Sequence, residues 1–190
     1  MEDFPSRLVH RDTGISNMGM GAFMANPSAF RLSLVGIIAA ASLSSTAHAA
    51  PVEHKQAPGA MIASAAVVPP GSTLYFLSGA TGAPIDPKDT ESPGAFGDTE
   101  AQAMSIFTRM KAQLAEMGLT MGDVVKLTVF LVGDPKLGGK MDRDGMTRAY
   151  KKFFGTAEQP NLPTRSAFQI AGLARPQQLI EIEAIAARGN

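Results

Sequence analysis

Apolar and polar residues change their spacing several times along the chain, and each change marks an element. Residues Thr73 to Ser78 (TLYFLS) form a short β-branched and aromatic run that stops at Gly79, which predicts a strand. Met61 to Val68 (MIASAAVV) is also β-tolerant, and Pro69-Pro70-Gly71 marks a turn between the two runs. They are expected to pair as an antiparallel hairpin. From Asp98 the period becomes helical: Ala103, Ile106, Phe107, Met110, Leu114 and Met117 share one face. Asp98 or Thr99 can cap this helix, Glu100 suits its positive end, and Gly118 ends it. The Met and Phe stripe is the whole apolar face, which makes it core.

Val124 to Val132 then alternates, with Val125, Leu127, Val129 and Leu131 on one side and Lys126, Thr128 and Phe130 on the other. That is a half-buried strand. A second helix reaches Phe154, its inner face built from Met146, Tyr150, Phe153 and Phe154, and Gly155 stops it. Thr164 to Ile170 and Leu179 to Ala186 supply the last two strands. The order β-β-α-β-α-β-β predicts an α+β domain, a mixed sheet with two helices on one face. The loops Ala80 to Gly97 and Asp134 to Lys140 are rich in Gly and Pro, and the first is long enough to expect function or mobility.

The N-terminal region reads as an address. Leu32 to Leu43 (LSLVGIIAAASL) follows Arg31 and leads to Ala47-His48-Ala49, an A-x-A pattern that predicts cleavage after Ala49 and a periplasmic or secreted protein. The run is too short for a membrane span, which takes about 20 apolar residues, so no stable membrane anchor is expected. The stretch before Arg31 carries both signs of charge, and Met18, Met20 or Met24 is a better signal-peptide start. An Ala-rich disordered tail is the other reading of this region. The expected organisation is a signal and extension over 1–49, a polar linker over 50–58 and one domain over 59–190.

Composition narrows the chemistry. The 190 residues are 45% hydrophobic, and 17 basic residues balance 17 acidic ones. A net charge of zero gives no electrostatic footprint for nucleic acid. Cysteine is absent, and the three histidines are His10, His48 and His54. No thiol nucleophile and no clustered metal ligands are therefore available in the domain, and neither a metal nor a cofactor is expected. Ser78-Gly79-Ala80-Thr81-Gly82 lacks the lysine and spacing of a phosphate loop.

What remains is Arg165, at the start of a strand, and Glu181 and Glu183, which alternate with Ile180 and Ile182 in the last one. A planar guanidinium matches a carboxylate in a bidentate pair, and a positioned carboxylate can orient or deprotonate water. The same residues could equally form an ordinary cross-strand ion pair, worth little at a surface.

These residues sit in a wider pattern. Pro163-Thr164-Arg165-Ser166 followed by IEIEAIA at 180–186, with Asp123 to Lys126 entering a strand, Leu77-Ser78-Gly79, and Tyr150 to Gly155 at a helix end, resembles the RidA or YjgF family of reactive-intermediate deaminases. The likeness runs from about Pro58 to the C-terminus. It implies a chorismate-mutase-like α+β fold, a homotrimer with sites in the clefts between subunits, and cofactor-free hydrolysis of enamines and imines to 2-keto acids and ammonia. Carried over by residue, it makes Arg165 the carboxylate clamp, Glu181 the group that handles water, and Glu183 a more structural glutamate. Ser78 and Gly79 line the cleft, and Thr147 and Ala167 take substrate-binding positions. The chain departs from the family pattern at three points. Met61 to Ala66 has no tyrosine, Thr147 replaces an asparagine, and Ala167 stands where cysteine is common. A non-catalytic periplasmic trimer that binds a small carboxylate through Arg165 is the competing reading, and the expected small-molecule partner is an imino or keto acid. RNA cleavage, a third, is disfavoured by the neutral charge.

Overall fold

The computed structural model describes residues 50–189. The apolar run, the cleavage point after Ala49 and the alternative starts lie outside the described residues. The elements are β1 (Glu53–Lys55), β2 (Ala65–Val67), β3 (Thr73–Thr81), α1 (Thr99–Glu116), β4 (Val124–Asp134), β5 (Lys140–Met141), α2 (Arg143–Tyr150), β6 (Thr164–Ile170) and β7 (Ile180–Arg188). This is the expected α+β class.

The main sheet is mixed. β7 lies between β3 and β4 and is antiparallel to both, while β6 runs parallel to β4 and β5 pairs with its far end. Alternation along the strands decides which side is covered. Leu127, Val129, Leu131, Ile180, Ile182, Ala184 and Ala186 are buried. They join Ile106, Phe107, Met110 and Leu114 of α1 and Met146 and Tyr150 of α2 in one core. Both helices therefore cover the same face. Asp98 caps α1, its side chain accepting from the Ala101 N–H at 2.8 Å. α2 ends at Tyr150 and the chain turns through Lys151 to Gly155, so the second helix is one turn shorter than the apolar pattern indicates.

Two expectations are corrected. The run at 61–68 does not pair with β3: β2 pairs with β1, in a separate two-stranded sheet. The segment expected to be a linker over 50–58 therefore contains a strand. His54 and Gln56 fasten that strand to the loop before β6. The His54 ring Nδ1 is 2.8 Å from the Leu162 carbonyl, and the Gln56 amide accepts from the Leu162 N–H and donates to the Pro160 carbonyl. The long loop after β3 is held as well. The buried Gln102 side chain donates to the carbonyls of Gly97 and Gln177 and accepts from the Leu179 N–H.

Candidate active site

Arg165 enters the site from β6, beside Leu127 of β4, on the helix-covered face. Its Cζ lies 4.5 Å from the centroid of the Tyr150 ring, and Nη1 is 3.6 Å from the Met146 sulfur. Among the described residues no carboxylate lies within 4.0 Å of this guanidinium; the four ion pairs are Lys55–Glu53, Arg148–Glu100, Arg175–Glu91 and Arg188–Asp123. The cross-strand pair of Arg165 with Glu181 or Glu183, one of the two readings of the sequence, is thus absent. Burial lowers the Arg165 pKa from its ordinary value; Tyr150 acts the other way, and the charge of Arg143 adds to the lowering. Burial pushes the Tyr150 phenol up to about 12, against the opposing influence of Arg165. Thr147 lies half-buried on α2 next to Met146, and Ala167 follows Arg165 on the same face of β6, packed against the core.

Glu181 and Glu183 face the other way. In register, Glu181 stands between Thr81 and Phe130, and Glu183 is opposite Thr128. Phe130 is in turn paired with Phe168. Residues 165 and 168 of one strand point to opposite sides, so the two glutamates project from the open face while Arg165 projects beneath the helices. The register of β3 against β7 shifts between Leu77 and Ala80, which puts Ser78 and Gly79 in a bulge. Bulges re-aim side chains and are frequent beside sites. Here the glycine makes room: a Cβ at Gly79 would stand 2.9 Å from the Glu181 Cδ and overlap its Oε1. Ser78, Phe76, Lys126, Thr128 and Glu183 line a shallow groove of about 270 Å³ on this open face. Lys126 Nζ donates to the Ser166 hydroxyl there at 2.9 Å.

The residues singled out in the sequence therefore form two groups. Arg165 and Ala167 share one face of β6, where Met146 and Tyr150 of α2 meet Arg165, and Thr147 follows Met146 on that helix. Ser78, Gly79 and Glu181 cluster at the β3 bulge, with Glu183 alongside. One chain does not bring the two groups together. Two partners of Arg165, Tyr150 and Met146, were read from the sequence only as core. Their helical spacing from each other, four residues, is the signal that one side chain could touch both.

Comparison with known proteins agrees with this architecture. The model of the family described as Endoribonuclease L-PSP matches residues 54–188. TdcF of Escherichia coli K12 is 36% identical over 137 residues, covering 72% of this chain and 95% of TdcF. A 2-iminobutanoate/2-iminopropanoate deaminase of the same strain is 38% identical over 105 residues, 55% of this chain and 73% of that protein. The crystal structure of YyfB from Yersinia pestis, a Rid-family protein of unknown function, aligns with a TM-score of 0.51 at 20% identity, covering 67% of this chain and 86% of YyfB. That likeness speaks to the fold. The chain belongs to the Endoribonuclease L-PSP family, the RidA/YjgF family.

Proposed function

We propose that the protein hydrolyses imine and enamine intermediates derived from amino acids, releasing ammonia and a 2-keto acid. The Arg165 guanidinium carries this reading. It is half-buried, stacked on Tyr150, and has no carboxylate partner among the described residues. A cation withdrawn from water without a counter-charge is costly, and a planar guanidinium recovers that cost best with a bidentate carboxylate. The substrate's carboxylate is that group. The name of the deaminase relative supports imine chemistry.

In the proposed reaction an enamine first takes a proton on carbon, gives one up from nitrogen, and so becomes the imine. Glu181 orients a water and takes its proton as the oxygen attacks the imine carbon. The C=N π pair passes to nitrogen, which is protonated. The carbinolamine then collapses: the hydroxyl proton passes to nitrogen, the C–N bond breaks with its pair on nitrogen, ammonia leaves, and the carbonyl forms. Ser78 and Gly79 give the backbone wall of the cleft, and Thr147 and Ala167 flank the clamp.

Arg165 and Glu181 occupy opposite faces of one sheet, so the proposed site takes Arg165 from one copy and Glu181 from its neighbour, in a homotrimer. The open face supports association, because Leu74, Phe76 and Phe168 are exposed there, Phe76 at 74%. We also propose, from the apolar run and A-x-A pattern before Ala50, that the domain acts after export.

The test is ammonia release from imines generated in situ by an amino-acid oxidase. The protein should accelerate it, and Arg165→Ala should lower the rate at least about 100-fold, the scale of one lost charge-assisted pair. Full activity in that variant would remove Arg165 from the mechanism. Tight pyruvate binding with no acceleration of any imine would leave a carboxylate-binding protein instead.

A further inference from the structure

Arg165 lies on a ring that has very little freedom to move. Tyr150 is 1% exposed. It stacks on Phe154 with ring centroids 4.9 Å apart and 23° between planes, and it meets Phe107 edge-on at 6.4 Å and 67°. Phe107 in turn packs on Phe153 and Phe154. Four aromatic side chains thus hold one another, and the Arg165 Cζ stands over the Tyr150 ring at 4.5 Å. Among the described residues, the only other close polar contact of the guanidinium is the Met146 sulfur, a weak acceptor. No oxygen acceptor among the described residues therefore sets its plane. The Tyr150 hydroxyl is also buried and has no hydrogen-bond partner among the described residues.

We infer that Tyr150 is a positioning residue: its ring, through the cation–π stack, fixes the plane and reach of the Arg165 guanidinium so that its N–H pairs meet a carboxylate. A guanidinium free to rotate would lose part of its bidentate advantage, whereas one lying on an immobile ring keeps its donor edge in one direction. The negative face of the ring also offsets some of the cost of withdrawing the cation from water. The hydroxyl plays no part in this; it is the ring face that acts.

The inference rests on the reading of Arg165 as a carboxylate clamp, and the experiment separates the two. Tyr150 is replaced by Phe, and then by phenylalanines bearing one, two and three ring fluorines, which keep the shape of the ring while draining charge from its face. The measured quantities are the affinity for pyruvate, as the simplest 2-keto acid, and kcat and KM for imine hydrolysis. Tyr150→Phe should stay within about twofold of the parent. The fluorinated series should then lose pyruvate affinity stepwise, to about tenfold for the most fluorinated ring, with KM rising more than kcat falls. Melting temperatures along the fluorinated series should stay close to that of Tyr150→Phe, because volume and packing are kept. A flat series, or a Tyr150→Phe variant as poor as the most fluorinated one, would overturn the inference. If Arg165→Ala binds pyruvate as well as the parent does, the clamp itself fails. If Arg165→Ala loses binding and the fluorine series is flat, only the role of Tyr150 fails.

Discussion

At Gly79 the absence of a side chain matters more than backbone freedom. The Glu181 carboxylate occupies the space where a Cβ would stand, across the bulge from its own strand. Adding a methyl there need not disturb the fold, because the atoms in the way are the end of a flexible side chain. It must, however, move the carboxylate that is proposed to hold water. Gly79→Ala is expected to lower kcat by about tenfold to a hundredfold while changing the melting temperature by no more than a few degrees, the range given by a misplaced general base. Loss of stability without loss of rate would make the contact structural. The pattern of the sequence revealed the charged candidates, Arg165 and the two glutamates, since charges in half-buried strands stand out. It could not reveal that Glu181 leans over residue 79, because that contact depends on the β3 register and on a bulge with no marker beyond a Ser-Gly pair.

Among the elements, α2 is the least secure by local forces alone. It has eight residues, carries Met146, Thr147 and Tyr150, and would not persist in isolation. Asp142 starts it, accepting from the Gly145 N–H at 2.8 Å, and Gly145 leaves room for that carboxylate, which a Cβ would meet. Asp142→Ala should cost about 1 kcal/mol of stability, seen as a lower urea midpoint with an unchanged slope, and Asp142→Asn should keep most of it. An unchanged midpoint in the alanine variant would mean that packing on α1 and the sheet holds the helix unaided. The helices, β4 and β7 were legible because an apolar period marks each of them. The N-terminal sheet was not. β1 reads Glu-His-Lys, with no alternation to notice; its ladder partner is β2, and the bonds that tie it to the rest of the domain, from His54 and the adjacent Gln56, go to residues more than a hundred positions away. A turn signal at 69–71 pointed to the wrong neighbour, since Pro-Pro-Gly shows where a chain bends and not what it pairs with.

At the scale of the whole molecule the deciding fact is which side of the sheet each candidate occupies. Periodicity assigns faces within a strand, but placing Arg165 and Glu181 relative to each other needs the order β3-β7-β4 and the parallel pairing of β6 with β4. With those in place, the two groups stand on opposite sides, and the proposed mechanism requires a second copy. This leads to a complementation experiment. Arg165→Ala lacks one half-site and Glu181→Ala the other, so each variant alone should be inactive. Unfolded together in equal amounts and refolded into mixed trimers, they should recover activity, because some clefts then pair an intact Arg165 with an intact Glu181 from the neighbouring copy. With random assembly that happens in about a quarter of clefts, so about a quarter of the parent activity is the expected ceiling. Both half-sites would have to lie in one chain for the mixture to stay inactive, since every chain in it carries one lesion. Sedimentation of the same mixture supplies the control: recovered activity should travel with the trimer, and dilution that releases monomers should abolish it.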